Sequence, residues 1–298
     1  MIDPMTDQDW LAERFEAHRP HLRGVAYRML GSLSEADDAV QEAWIRLSRA
    51  DTSDVANLRA WLTTVVGRVC LNLLRSRRGR REAPLDAHVP DPIVSPLDGT
   101  DPEYEAILGD SIGLALLAVL DTLTPAERVA FVLHDVFAVP FDDIAPIVGR
   151  STDATRQLAS RGRRRIHGAP VPDTDLDGQW TVVEAFLAAS RDGVFEQLLA
   201  VLDPDVILRS EGGDARPRLD QLVRGHEAVA SNALLFRNLA ATASRTLVNG
   251  VPGGVVWSPD GSPFAVLAFT VAGGRIVSID VLADPERLAR LDLQRVAD

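Results

Sequence analysis

The sequence predicts a multidomain chain, two all-α domains followed by a C-terminal α+β cone, and three observations lead there. The first is the segment from Leu123 to Ile166, LTPAERVAFVLHDVFAVPFDDIAPIVGRSTDATRQLASRGRRRI, whose caps, breaks and periodicity read as helix, short helix, tight turn and a second helix. The second is the helical periodicity of nearly everything from Trp10 to about Arg81. The third is a change of pattern after Ile166, where alternating strands appear, separated by Asn249-Gly250, Asp260-Gly261 and Gly273-Gly274 turns.

In the N-terminal part, Ser34 and Asp37 are expected to cap a helix with Val40, Trp44 and Leu47 on one face. Asp37, Asp38, Gln41, Glu42 and Arg46 fall largely on the other. Leu58 to Arg78 reads as a longer helix, with Leu62, Val65, Val66, Val69 and Leu73 at i, i+3, i+4, i+7 and i+11. Cys70, the single cysteine, lies within this apolar run, so a buried thiol is expected and no disulfide within the chain can form. Residues 83–109 carry prolines at 84, 90, 92, 96 and 102 among glycine and aspartate, which reads as a linker. Asp110 to Leu120 resumes helix.

The helix-turn-helix is justified residue by residue. Thr124, Pro125 and Glu127 supply the N-cap, N1 proline and reciprocal carboxylate of a capping box. Val129, Val132, Leu133 and Val136 follow at helical spacing until Ala138-Val139-Pro140 breaks the run. Phe141, Ile144, Ala145 and Val148 make a short amphipathic helix closed by Gly149, and Ser151 caps the next one. There Thr155, Ala159, Gly162 and Ile166 face inward with Leu158 on the flank, leaving Thr152, Asp153, Arg156, Gln157 and Ser160 outward, where a recognition helix meets base edges. Arg161, Arg163, Arg164 and Arg165 cluster in the second half, where phosphates would lie.

A formal net charge of −12 over 298 residues argues against DNA, but the charges are segregated. Arg68, Arg75, Arg77, Arg78, Arg80 and Arg81 lie in one stretch without an acid, and Arg150 to Arg165 form a second block interrupted only by Asp153. Asp86, Asp91, Asp98, Asp101, Glu103, Glu105 and Asp110 occupy a stretch without arginine, and lysine is absent from the chain. No apolar run reaches membrane-spanning length, and MIDPMTDQDW lacks the basic and apolar regions of a signal peptide. A cytoplasmic protein with no membrane partner is expected. No metal-ligand spacing and no phosphate-cradling glycine loop occurs, so neither a metal nor another cofactor is expected.

The expected boundaries are residues 1–82, a linker over 83–109, the helix-turn-helix module over 110–168, a hinge over 169–178 and the α+β cone over 179–298. In the cone two helices are expected (Trp180 to Arg191, Val194 to Val201), then a strand from Asp205 to Arg209 and a helix after Gly225. Strands from Ser244 to Val248, Gly254 to Trp257, Phe264 to Val271 and Arg275 to Leu282 follow.

SEADDAVQEAWIRL, NLRAWLTTVVGRVCLNLLRSRRGRRE and the helix-turn-helix resemble regions 2 and 4 of an extracytoplasmic-function sigma factor over roughly residues 10–168. VRGHEAV and the hairpins after it resemble the SnoaL-like, NTF2-like fold, and the combination is similar to the SigJ-like class. That class carries WLPEP-type, DGGGK-type and NPDKL-type motifs. This chain has His88-Val89-Pro90-Asp91-Pro92, then Glu211-Gly212-Gly213-Asp214 with no lysine, and Asp284-Pro285-Glu286-Arg287-Leu288.

The resemblance implies core RNA polymerase (β′ clamp helices and β flap) and promoter DNA as partners. Asp37, Asp38, Gln41, Glu42 and Trp44 would dock on the clamp, unless that face is simply solvated. Trp61, Arg68, Arg75, Arg77 and Arg78 would meet the −10 element, although the Trp61 ring reads more readily as core. Arg150, Thr152, Asp153, Arg156, Gln157, Ser160, Arg161, Arg163 and Arg164 would read the −35 element. Regulatory contacts are expected between Pro90, Asp91 and Pro92 of the linker and Asp284, Pro285, Arg287 and Leu288.

The cone offers little for catalysis. Its only histidine, His226, starts a helix, and Asp205 and Asp280 read as turn residues at strand ends, so no catalytic residue is assigned. A small-ligand pocket or an intramolecular regulatory surface is the expectation. Two function classes stay open: a promoter-specificity subunit regulated in cis by its C-terminal domain, and a cyclase or isomerase-type enzyme tethered to a DNA-binding segment.

Overall fold

A computed structural model describes residues 7–50, 57–80, 88–97, 114–167, 172–240 and 242–293, with the side chains of 7–9, 78–80 and 240 outside the description. The chain forms two compact units. One comprises Met1–Ala83, Pro102–Gly109 and Val119–Gly168, the other Pro84–Asp101, Asp110–Ala118 and Ala169–Asp298.

The first unit contains α1 (Asp7–Glu16), α2 (Arg19–Leu30), α3 (Leu33–Leu47) and α4 (Leu58–Arg80). The α3 cap differs from expectation: Ser32, in extended conformation, is the N-cap and its hydroxyl accepts the Glu35 amide at 3.5 Å. Ser34 and Asp37 already lie inside the helix, where their backbone is helical and cannot cap. The α4 stripe is inward, with Leu62, Val65, Val66 and Val69 buried, but beyond them Leu71 and Leu74 are the buried leucines and Leu73 is only half-buried. Cys70 is fully buried, and burial pushes its thiol up to about 12.

Helix α5 (Leu114–Asp121) precedes the helix-turn-helix: α6 (Pro125–Phe131), a wider π-type turn over Val132–Val136, α7 (Phe141–Val148) and α8 (Thr152–Ile166). Both halves of the Thr124–Glu127 capping box form, Gly149 takes φ +68°, and the Ser151 hydroxyl accepts the Ala154 amide at 3.3 Å. Ala138 at φ +53° makes the break before Pro140. This module packs on α4 within the same unit. A Cβ on Gly67 would lie 3.3 Å from Leu133 and 3.4 Å from Ile147, so the absence of a side chain allows the close approach. The fully buried Arg128 pairs with Asp121 and donates to the Arg28 carbonyl at 3.5 Å, tying α6 to α2.

The second unit is an α+β cone around a seven-stranded sheet. Its strands are β1 (Val94–Ser95), β2 (Leu202–Glu211), β3 (Gln221–Arg224), β4 (Ala243–Val248), β5 (Val251–Trp257), β6 (Pro263–Ala272) and β7 (Arg275–Leu282), in the order β1-β4-β5-β6-β7-β2-β3. Only β2 and β7 run parallel among these pairs. Helices α9 (Leu176–Asp192), α10 (Phe195–Val201), α11 (His226–Leu235) and α12 (Arg237–Ala240) accompany it, and Trp180, Val183, Phe186, Leu198, Val229, Phe269 and Ile279 meet in its core. The short α13 (Pro285–Leu288) ends the described fold.

Three expectations change here. The stretch read as linker contributes β1, whose Val94 and Ser95 pair with Val248 and Leu247. Of the expected hinge, residues 172–178 belong to the cone: the Asp173 amide donates to Val271 at 2.8 Å, and its carboxylate accepts the Gly273 and Gly274 amides at 2.8 and 2.9 Å. Asp280 is not a turn residue but sits within β7, 1% exposed, paired with Arg209 at 2.8 Å.

Candidate nucleic-acid interface and linker latch

The outer face of α8 is built as the inward stripe requires. Thr155, Leu158, Ala159 and Gly162 are buried, while Asp153, Arg156, Gln157 and Ser160 are exposed beside the half-exposed Thr152. The Thr152 hydroxyl donates to Asp142 at 2.8 Å, and Arg156 pairs with Asp153 at 2.9 Å while lying 5.7 Å from the Phe141 ring. His134 stacks on Phe141 at 3.7 Å and donates to the Val139 carbonyl at 3.0 Å, which fixes the turn between the helices.

The arginines at the α8 exit differ among themselves. Arg163 pairs with Asp135 at 2.5 Å, and Arg161 and Arg165 both reach Glu127, at 3.4 and 2.9 Å. Burial raises the Glu127 carboxyl, but the Thr124 hydroxyl and amide and the two arginines outweigh it, so its pKa is lowered. Among the described residues exposed Arg164 has no ion pair, and the exposed Arg150 guanidinium donates to the neighbouring Gly149 carbonyl at 3.3 Å.

On α4, Arg68 and Arg75 are exposed and Trp61 is half-buried. Arg77, expected with them at the −10 element, is engaged within the unit. Its guanidinium pairs with Glu35 and donates to the Leu30 carbonyl at 2.8 Å, so it ties α4 to the α2–α3 junction and is spent on internal partners. The Arg78 side chain lies outside the described residues. On α3, Asp38 and Gln41 are exposed, Asp37 pairs with Arg23 at 2.6 Å and Glu42 with Arg46 at 2.9 Å. Trp44 is half-buried, its ring 5.2 Å from that of Phe15.

Within the second unit, the linker and the C-terminal motif meet. Asp284 caps α13, accepting the Glu286 and Arg287 amides at 2.8 and 3.3 Å, and Pro285 occupies the first turn. That aims Arg287 at three acceptors: Asp91 at 2.9 Å, Glu211 at 2.8 Å and the Val89 carbonyl at 2.7 Å. Glu211 also accepts the Val89 amide at 2.7 Å and lies 3.1 Å from His88. Burial raises the Glu211 carboxyl, but His88, Arg287 and the Val89 amide overcome it and bring it to about 2. Pro90, Pro92 and Leu288 are buried. Ile93 and the fully buried Asn249 exchange two hydrogen bonds, amide to side chain at 2.9 Å and amide to carbonyl at 2.8 Å.

Sequence reasoning named Asp91 and Arg287 but gave Glu211, His88 and Asn249 no role. The glutamate stands in a recognisable motif, whereas Asn249-Gly250 signals a hairpin turn and nothing of its second task.

The fold and these surfaces define a DNA-binding transcription factor with two helical modules and an appended α+β domain. Residues 14–80 match the Sigma-70 region 2 family and residues 113–166 the Sigma-70 region 4 family. The chain is 36% identical over 294 residues to the ECF RNA polymerase sigma factor SigJ of Mycobacterium tuberculosis, covering 92% of this chain and 91% of that protein. It is 37% identical over 289 residues to the probable ECF RNA polymerase sigma factor SigI of the same species, covering 95% and 97%. The crystal structure of M. tuberculosis SigJ matches with a TM-score of 0.76 at 34% identity, covering 95% of this chain and 99% of that one. The chain belongs to the extracytoplasmic-function RNA polymerase sigma factors of the SigJ-like class, which direct transcription initiation at specific promoters. Among the described residues no helix is long and apolar enough to cross a membrane.

Proposed function

We propose that this sigma factor reads its −35 element through the outer face of α8 and its −10 element through α4, and is regulated in cis by its C-terminal domain. Arg156 and Gln157 face base edges, while Arg150 and Arg164 hold phosphates, since exposed arginines without strong internal partners are the ones available to DNA. Arg68 and Arg75 serve the −10 strand. Asp38, Gln41 and Glu42, with Asp37 beside them, form the surface for the β′ clamp helices, and the helix-turn-helix module faces the β flap. Core polymerase performs the bond-making chemistry, so the chain itself acts without catalysis, in the cytoplasm.

The observation that carries the regulatory reading is Arg287, which holds the linker at Asp91 and Val89 and the sheet at Glu211. The linker joins the two DNA-reading modules in sequence, so anchoring its middle restricts the spacings those modules can adopt. Run-off transcription with purified core polymerase tests this. Deleting residues 284–298 removes Arg287 and raises transcription from the cognate promoter, while deletion from residue 176 onward alters it differently or abolishes it. Equal activity of both truncations and the intact chain, across a range of protein concentrations, would remove the cis-regulatory role. For the clamp surface, Asp38→Arg with Glu42→Arg should lower core binding of a chain that still folds, since Asp38 is exposed and the Glu42–Arg46 pair lies at the surface.

A further inference from the structure

The second unit holds a partly open cavity of about 110 Å³ between the helices and the inner face of the sheet. Its wall is largely apolar, with Phe186, Leu208, Leu219, Leu267, Phe269 and Val281 among the lining residues. Unfilled apolar space in a packed domain is destabilising, and an engineered apolar cavity of about 150 Å³ takes up benzene. The space therefore suits a ring-sized apolar group.

Its polar residues are few and uncharged: Ser190, Ser210, Gln221 and Asn232. Ser190 already donates to the Ala233 carbonyl at 3.4 Å. Asn232 donates its amide to the Gln221 side-chain oxygen at 3.2 Å, which leaves the Asn232 oxygen as an acceptor and the Gln221 amide as a donor. No Asp, Glu, Arg or His lines the wall, so an ionised ligand would be desolvated without a counter-charge. The buried ion pair of Arg209 with Asp280 is not among the lining residues. The absence of a titratable group on the wall also points to binding without turnover.

We propose that this cavity is a binding site for a neutral, largely apolar small molecule carrying one hydroxyl-like group, which meets the Gln221–Asn232 pair. The hydroxyl both donates and accepts, as that pair requires.

Equilibrium dialysis of the full chain at pH 7 against phenol, benzene and benzoate tests the assignment with three single-ring probes. Saturable binding of one phenol per chain is expected, with benzene severalfold weaker and benzoate weaker by about tenfold or more. Ala233→Phe, which places a ring in the cavity, should weaken phenol by about tenfold in a chain of unchanged melting behaviour. Should that variant fail to fold, Asn232→Leu serves instead and should erase the preference for phenol over benzene. Binding of benzoate as tight as phenol, non-saturable uptake, or unchanged phenol affinity in folded Ala233→Phe would overturn the proposal. Transcription is not a readout here, so the outcome is independent of whether the domain regulates in cis.

Discussion

Helices α8 and α13 use the same side chain in opposite settings. On α8 the guanidinium groups of Arg161, Arg163 and Arg165 stand about half exposed, with single acidic partners reached from long, flexible stems. On α13 the Arg287 side chain is 15% exposed and surrounded by two carboxylates and a carbonyl. Exposed ion pairs contribute little and exchange readily for other anions, such as phosphate. A buried, multiply bonded arginine holds its partners instead, because removing it strands their charge. Local enclosure, not the count of arginines, separates a surface that receives a partner from a joint within the chain.

The comparison breaks first at Arg128, an arginine of the helix-turn-helix module that is 2% exposed. If enclosure decides the role, Arg128→Ala strands Asp121 and destabilises the first unit by about 3–5 kcal/mol, visible as an early transition in calorimetry. A loss no larger than that of an exposed arginine would show that enclosure is the wrong criterion.

The next largest effect lies at the latch. Arg287→Ala should cost about 2–3 kcal/mol, less than for a fully buried pair, and accelerate hydrogen exchange of the Val89 amide, whose acceptor Glu211 loses its arginine. The same site gives the chain an acid limit. With the folded Glu211 carboxyl near 2, below its unfolded value, its contribution is complete above about pH 4.5 and is lost as pH falls toward 2. Glu211→Gln should flatten the melting temperature of the second unit over that window. An unchanged slope would assign the acid sensitivity to other carboxylates.

The smallest effects sharpen the comparison within α8 itself. Arg156→Ala should cost about 1–3 kcal/mol on the cognate −35 sequence and relax preference at one or two base pairs. Arg164→Ala should weaken all sequences evenly. Binding to cognate and scrambled duplexes, measured with core polymerase present, separates the two, and equal losses for Arg156→Ala on both would take away its place at the bases.

What was legible in the sequence was local. Thr124, Pro125, Glu127, Gly149 and Ser151 each act within a few residues, so the helix-turn-helix and the outward face of α8 follow from spacing alone. The Asn-Gly, Asp-Gly and Gly-Gly turns marked the hairpins for the same reason. Non-local contacts were hidden. A strand of two residues carries no periodicity, and β1 exists only because Asn249 and Val248 receive it, with the Ile93–Asn249 bond spanning 156 positions. The burial of Asp280 likewise depends on Arg209, 71 positions away. Arg77 looked like its exposed neighbours because nothing in an arginine-rich run shows which member turns back to Glu35. The α3 cap was a nearer miss, since Ser32 and Glu35 have capping-box spacing and Ser34 lies between them.

Strand β1 has a consequence of another kind. It occupies one margin of the sheet, and without it β4 would present the unpaired amides and carbonyls of Thr246, Leu247 and Val248. Such a margin is a template for a strand from another molecule. The segment that ties the modules together is therefore also a guard on the sheet, with the Ser95 carbonyl accepting the Thr246 hydroxyl at 2.6 Å. A state that frees the linker is therefore expected to trade a closed margin for an adhesive one and to favour self-association.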